Sequence, residues 1–151
     1  YLRGLCQQNK LVEGGFELLG HRLKLEDIDV PLIAIGCETD HIAPWKDSYR
    51  GVRMMGSADK TFVMTQSGHI AGIVNPPSKG KYGHYTNDNL SLDHEDWLEG
   101  AKFHEGSWWP RWGAWLENRS DGKVDARIPG EKGRDTLADA PGTYVVRKAR
   151  G

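Results

Sequence analysis

The sequence predicts an α/β fold organised around a parallel strand–helix–strand unit at residues 31–77. Three observations predict it. First, Leu32-Ile33-Ala34-Ile35-Gly36-Cys37 is a continuous apolar run, the pattern of a strand buried on both faces. Second, Thr61-Phe62-Val63-Met64-Thr65 is a further run rich in β-formers. Third, the segment between them opens on Pro44-Trp45-Lys46-Asp47 and places Tyr49, Val52 and Met55 at i, i+3 and i+6, a helical burial stripe closed by Gly56. A strand, a helix and a strand in so short a space fit a right-handed βαβ crossover. The chain has 151 residues, 38% apolar and 27% charged, enough for one domain with a sizeable core. Its formal net charge of −1 gives no reason to expect a nucleic acid or an anionic membrane as partner. No apolar stretch reaches the roughly 18–20 residues of a transmembrane segment.

The remaining elements follow in order. Residues 1–10 read as a helix end, closed by Asn9 or by Gly14-Gly15. Phe16, Leu18, Leu23 and Leu25 alternate loosely about Gly20, which predicts a small hairpin. Pro31 is tolerated at the first position of the strand that follows. Asn75-Pro76-Pro77-Ser78-Lys79-Gly80 is a loop by composition, and residues 82–92 read as polar and irregular. Residues 93–103 read as a helix with Trp97, Leu98 and Ala101 on its apolar side. Ser107 is placed to cap a further helix over 108–118, with Pro110 in the first turn and Trp108, Trp112 and Trp115 on one face. Six tryptophans is a high number for this length, and four of them lie between 108 and 115. Packing of this helix against the sheet is the plain explanation of the cluster; an acyl or polymer channel and a protein interface are the others. Residues 119–140 read as an extended or poorly ordered polar tail, with 141–146 docking as a short strand. The expected division is therefore 1–118 for the folded portion and 119–151 for the tail. Tyr1 opens directly into what reads as the middle of an element, so the chain is expected to be a piece of a longer protein.

Ligand sites in open α/β sheets lie beyond the carboxyl ends of the strands. Asp40 and His69 both fall there, one past each strand of the crossover. A carboxylate that holds an imidazole in one tautomer, and an imidazole that takes a proton from a nucleophile, are the last two members of a catalytic triad. The same residues admit a plainer reading, in which Asp40 caps the next helix and His69 is a loop histidine. His41 competes for the acid–base role; in an extended segment it points away from Asp40, and substrate contact or a purely structural role are its other readings. His21, His84, His94 and His104 show no ligand-like spacing and read as surface or satisfied polar residues. The nucleophile is missing: no Gly-x-Ser-x-Gly or Gly-x-Cys-x-Gly pentapeptide occurs. Cys37 lacks the glycine and helix start of such an elbow and reads as a small residue packed at a strand end. Cys6 is equally unremarkable, and neither Ser67 nor Ser107 has elbow context. Two cysteines make neither a disulfide framework nor a metal-type pair, and a reducing, cytoplasmic setting is expected.

Four blocks carry a resemblance to a known family. They are Asp40-His41-Ile42-Ala43-Pro44-Trp45; Ser67-Gly68-His69-Ile70-Ala71-Gly72-Ile73-Val74-Asn75-Pro76-Pro77; His84-Tyr85-Thr86-Asn87-Asp88; and Gly106-Ser107-Trp108-Trp109-Pro110. Together with Tyr1-Leu2-Arg3, Gln8-Asn9 and the closing Ala140-Pro141-Gly142, these resemble the C-terminal part of a polyhydroxyalkanoate synthase. The likeness is to the single-polypeptide type that makes poly(3-hydroxybutyrate) from short-chain monomers. It covers essentially the whole chain, and the Gly-His-Ile-Ala-Gly and Gly-Ser-Trp-Trp-Pro blocks are its most specific parts.

The resemblance implies the C-terminal part of an α/β-hydrolase fold, incomplete without the upstream strands, and a Cys-His-Asp triad. It implies an acyltransferase that polymerises (R)-3-hydroxyacyl-CoA and releases CoA, with the cysteine carrying the growing polyester. His69 is then the general base. Asp40 either orients His69 or helps to deprotonate the 3-hydroxyl that attacks the next thioester. The family's cysteine elbow lies upstream of anything present, so this chain alone is expected to be inactive. No cofactor and no metal are expected. The expected partners are the CoA thioester, the growing polyester and, in the full enzyme, a second copy as homodimer; the expected location is the cytoplasm, at the surface of polyester granules. Two alternatives stand beside this reading: an esterase or depolymerase with an upstream serine, and a non-catalytic module that binds a granule or partner through the tryptophan face.

Overall fold

The computed structural model describes residues 1–128, 130, 131, 133 and 135–148. They fall into two compact units, Tyr1–Asn118 and Arg119–Gly151.

The first unit is a mixed α/β structure. A π-helical turn, Leu2–Gln7, leads through turns to the hairpin β1 (Phe16–Leu18) and β2 (His21–Leu23). Its two-residue loop, Leu19-Gly20, has positive φ at both positions, the geometry whose twist matches a hairpin. The main sheet is built from β3 (Leu32–Cys37), β4 (Lys60–Thr65), β5 (His84–Thr86) and β6 (Lys102–His104), side by side in that order. The β3–β4 pair is parallel, with Leu32 opposite Lys60 and Cys37 opposite Thr65. The crossover between them is α1 (Trp45–Met54). β5 and β6 then add antiparallel. The helices α2 (His94–Glu99) and α3 (Trp109–Glu117) precede and follow β6. No helix among the described residues is long and apolar enough to cross a membrane.

Alternation along the strands sorts side chains to two faces. Leu32, Ala34, Phe62, Met64 and Tyr85 point to the α1 side. There Trp45, Tyr49 and Val52 of α1 and Trp97 of α2 close on Phe62 and Met64 to form the core. The Tyr49, Phe62 and Trp97 rings lie 5.2–5.4 Å apart, and all three are at most 1% exposed. Each such side chain contributes about 1.5–3 kcal/mol on burial. The polar ends are satisfied: the Tyr49 hydroxyl donates to the Leu92 carbonyl at 3.0 Å, and the Trp97 indole N–H to the Asn87 carbonyl at 2.9 Å. Gly36 makes this packing fit, since a Cβ there would stand 2.7 Å from the Phe62 ring.

Several expectations need correction. The helix over 44–55 ends at Met54, and Trp45, rather than Met55, completes its buried stripe. Gly56 does not cap it through a left-handed turn; it lets the backbone pass the Glu26 carbonyl, where a Cβ would lie only 1.9 Å from the oxygen. Residues 82–92 are not irregular throughout, because His84–Thr86 pairs with β4. The helix expected over 93–103 stops at Glu99, capped at its start by the Asp93 carboxylate, which accepts from Glu95 N and Asp96 N. Phe103 lies on β6 instead.

In the second unit the described residues form no helix or strand. The strand expected over 141–146 is absent. Turns replace it, closed by Gly142 N–H to Asp139 O at 2.8 Å and Arg147 N–H to Tyr144 O at 3.0 Å. The expectation for 119–140 falls in part on residues 129, 132 and 134, which lie outside the described residues, as do 149–151.

Candidate active site

In a parallel pair both strands end at the same edge of the sheet, so the loops that leave them start side by side. Here the pairing runs on past the strands: Glu38 N–H donates to Thr65 O at 2.9 Å and Thr39 N–H to Ser67 O at 3.1 Å. One residue further, Asp40 folds its carboxylate back, and Oδ1 accepts from Ile42 N at 2.8 Å and Ala43 N at 3.0 Å. This is an Asx turn, and it precedes the helix rather than capping it; the residue at the helix start is Pro44. On the other loop Ser67 takes a left-handed conformation, φ +72°, and the chain then coils so that Gly72 N–H meets Gly68 O and Val74 N–H meets Ile70 O, both at 2.8 Å. The result is a direct contact. His69 Nδ1 lies 3.0 Å from Asp40 Oδ1, with side-chain exposures of 35% and 7%.

The electrostatics decide the tautomer. The Ala43 and Ile42 amides, and then the His69 ring, hold the Asp40 carboxyl below its ordinary range. An ionised carboxylate only accepts, so His69 Nδ1 donates to it, and in the neutral imidazole Nε2 is the nitrogen with the lone pair. That leaves Nε2 as the free nitrogen of an oriented, partly exposed ring.

His41 does not point away as an extended segment would make it. The Asx turn curls the chain, and the His41 ring comes to 5.5 Å from the His69 ring, on the exposed side. Among the described residues, Asp40, His41 and His69 also form a group able to hold a metal ion, with one ligand atom from each within 4.8 Å of the others. Cys37 is 3% exposed, and burial, then the Asp40 charge, pushes its thiol above the ordinary value. A thiol held protonated is a packing group, not a nucleophile.

The tryptophan cluster does something that helical spacing did not reveal. The Trp108 indole N–H donates to Gly72 O at 3.0 Å and the Trp109 indole N–H to Ile73 O at 2.9 Å. Both carbonyls belong to the loop that carries His69. Trp108 is 7% exposed, whereas Trp112 is 41% exposed, so the face does not pack uniformly on the sheet as expected. Gly72 is required under this clamp: a Cβ would meet Gln66 O at 2.7 Å and Gly68 O at 2.8 Å. Ser107 Oγ accepts from Trp109 N at 3.0 Å, which fixes the turn into α3.

Behind the sheet, on the face opposite α1, His84 and His104 stack at 5.0 Å with planes 16° apart. His84 Nδ1 donates to Gly106 O at 3.0 Å, and its Nε2 accepts from Arg111 Nε at 3.3 Å. His104 Nε2 faces the Thr86 hydroxyl at 2.8 Å and Arg111 Nη2 at 3.3 Å. Burial first, with the Arg111 charge among the further causes, lowers both imidazoles below their ordinary value. They are satisfied polar residues, as the sequence predicts, although His84 is buried and not at the surface. An open cleft of about 570 Å³ lies beside them, lined in part by Ile33, Thr61, Arg111 and Trp115. A second, of about 480 Å³, runs from Ile70 and Ala71, next to His69, to Val74, Lys79, Lys81 and Tyr82.

Comparison with known proteins bears on what this arrangement serves. The chain is 41% identical over 148 residues to the poly(3-hydroxyalkanoate) polymerase subunit PhaC of Rhizobium etli, covering 98% of the chain and 23% of that protein. It is 42% identical over 151 residues to the same subunit of Cupriavidus necator, and 43% identical over 151 residues to the poly(3-hydroxyalkanoate) polymerase of Methylorubrum extorquens. Those matches cover 99% of the chain and 26% and 25% of the two relatives. Along nearly its whole length the chain is thus similar to one part of the poly(3-hydroxyalkanoate) polymerases. It spans about a quarter of the length of these curated relatives. No protein-family model matches it. The resemblance carried by the Gly-His-Ile-Ala-Gly and Gly-Ser-Trp-Trp-Pro blocks is therefore met by identity along nearly the whole chain. Sequence spacing located Asp40, His41 and His69. It missed the turn that brings His41 back and the two indole donors behind His69, for which the Trp108-Trp109 pair was the available signal.

Proposed function

We propose that this chain supplies the base and the acid of a Cys-His-Asp triad in a polymerase that makes polyhydroxyalkanoate from (R)-3-hydroxyacyl-CoA. The observation that carries the reading is the His69 Nδ1–Asp40 Oδ1 contact of 3.0 Å at the shared end of two parallel strands, in a chain homologous to such polymerases. His69 Nε2 takes the proton of a cysteine thiol contributed by sequence outside this chain. The thiolate attacks the thioester carbonyl, CoA leaves as its thiol with that proton, and the acyl group stays on the cysteine. The 3-hydroxyl of one unit then attacks the next thioester, whose carbon–sulfur bond breaks, and the hydroxyl proton passes by way of His69 to the thiol that leaves, with Asp40 orienting the ring or sharing in that step. The thioester carries its own leaving group, so the reaction takes no cofactor. His41, exposed beside His69, contacts substrate. The cleft that begins at Ile70 has an apolar wall and a rim of Lys79 and Lys81, suited to an acyl-CoA arm and its phosphates.

In this reading the fold is the C-terminal part of an α/β-hydrolase. β3 supports it: its Leu32-Ile33-Ala34-Ile35 run has the composition of a strand flanked on both sides, yet among the described residues it pairs only with β4. A preceding strand of the longer protein fills that edge. The whole enzyme acts as a homodimer in the cytoplasm at the surface of polyester granules, and this chain alone is inactive. The test is CoA release from 3-hydroxybutyryl-CoA by the full-length protein. His69→Ala and Asp40→Asn each lower the rate by about a thousandfold or more with the fold intact. His41→Ala raises KM with little change in kcat. Near-normal turnover in both His69→Ala and Asp40→Asn sinks the assignment.

A further inference from the structure

Asp40 and His69 have one more property, which depends on their spacing and on His41. A zinc ion takes nitrogen and oxygen ligands at about 2.0–2.2 Å, so two ligands of one tetrahedral centre stand about 3.3 Å apart. His69 Nδ1 and Asp40 Oδ1 are 3.0 Å apart, close to that spacing already. His41 supplies the third corner: one ligand atom from each residue lies within 4.8 Å of the other two. Its ring touches His69 at 5.5 Å between centroids, and its side chain is exposed, so a rotation toward the pair disturbs no packed neighbour. The Asp40 turn is held by its own amide hydrogen bonds, which fixes the position of the carboxylate.

We infer that Asp40, His41 and His69 form a reversible binding site for Zn²⁺, which occupies the gap otherwise bridged by the His69 Nδ1 proton. Two imidazoles and one carboxylate select zinc over magnesium or calcium, and His69 at 35% exposure leaves an entry path. The chemistry of the exchange is a tautomer shift. When the metal takes the Nδ1 lone pair, the proton formerly on Nδ1 goes to Nε2 through solvent, and no redox step is involved. Nε2 then becomes a donor and has no lone pair with which to accept a proton. Zinc at this site therefore disables the base. Binding itself does not rest on the triad reading; the inhibition does.

The experiment uses the full-length protein, stripped of metal, titrated with zinc chloride against a chromophoric chelator, with magnesium chloride as the comparison. The expected result is one zinc per chain with a Kd at or below about 10 μM at pH 7.5, no magnesium binding, and about tenfold or greater weakening in His41→Ala. Circular dichroism confirms the fold of the variant, whose altered residue is exposed. CoA release falls with the same zinc dependence and returns on adding chelator. A Kd weaker than about 100 μM, or an unchanged Kd in His41→Ala, overturns the site. Tight, His41-dependent binding without inhibition upholds the site and overturns the proton-relay role of His69 instead, so the two failures are distinguishable.

Discussion

Trp108→Phe probes how the histidine loop is held. The substitution keeps an aromatic ring in a site that is 7% exposed and removes the N–H that reaches the Gly72 carbonyl at 3.0 Å. What remains on that carbonyl is the Thr65 hydroxyl at 3.4 Å, which is also 3.3 Å from Gln66 O, so the replacement bond is weak and shared. A buried acceptor stripped of its main partner costs about 1–3 kcal/mol, and the residual Thr65 contact keeps the cost in the lower half of that range. The smaller ring adds up to about 1 kcal/mol for the space it vacates. The expected loss is about 2 kcal/mol, or a fall in Tm of roughly 5–10 °C for a unit of this size. Thermal unfolding followed by circular dichroism measures it. Amide exchange locates it, since the Gly72 and Val74 amides that bond to Gly68 O and Ile70 O should lose protection first. Trp112→Phe, at a residue 41% exposed, is the control and stays within about 0.5 kcal/mol of the parent. A Tm for Trp108→Phe within about 1 °C of the parent, with unchanged exchange at Gly72, refutes the clamp.

Acidification below about pH 6.5 should lower Tm, because imidazoles in the unfolded chain take up protons there while those of His84 and His104, held low by burial, do not. Stability then falls until the pH reaches their folded-state values; His84→Gln shows a shallower slope between pH 7.5 and 5. Asp40 and Asp93 add no slope in that window: their folded-state values are depressed, so their contribution is complete above the ordinary carboxyl value and is lost only as pH falls through the lower one. Iodoacetamide on the folded chain should modify the exposed Cys6 and spare the buried Cys37, with both modified after denaturation, as mass spectrometry of tryptic peptides will read. Gly56→Ala places a methyl 1.9 Å from the Glu26 carbonyl oxygen, a backbone atom, and should lower stability in urea by more than the ordinary overpacking cost of about 1–3 kcal/mol.

The strand–helix–strand unit was legible because its signals are local. An apolar run of strand length and a 3.6-residue stripe are each written within a few turns of chain, and β3 and α1 appear where those patterns lie. β5 and β6 were not legible. Each is only three residues long, and His84-Tyr85-Thr86 is a strand because Thr65, Met64 and Val63 stand opposite it. Phe103 likewise leaves a helical pattern for a strand because Tyr85 is its neighbour, with rings 5.0 Å apart.

By itself, then, the sequence determined that Asp40 and His69 leave the same edge of a parallel pair, and with that the candidate chemistry, since strand direction and loop position follow from local pattern. Only the tertiary structure decided how that edge is used. The turn at Asp40 swings His41 toward His69, Gly72 allows the loop to coil tightly, and two indole N–H groups from distant Trp108 and Trp109 hold its carbonyls. Those are contacts between residues far apart in the chain. Spacing along a sequence sets which residues a loop contains, but it does not record which donors will be folded against it.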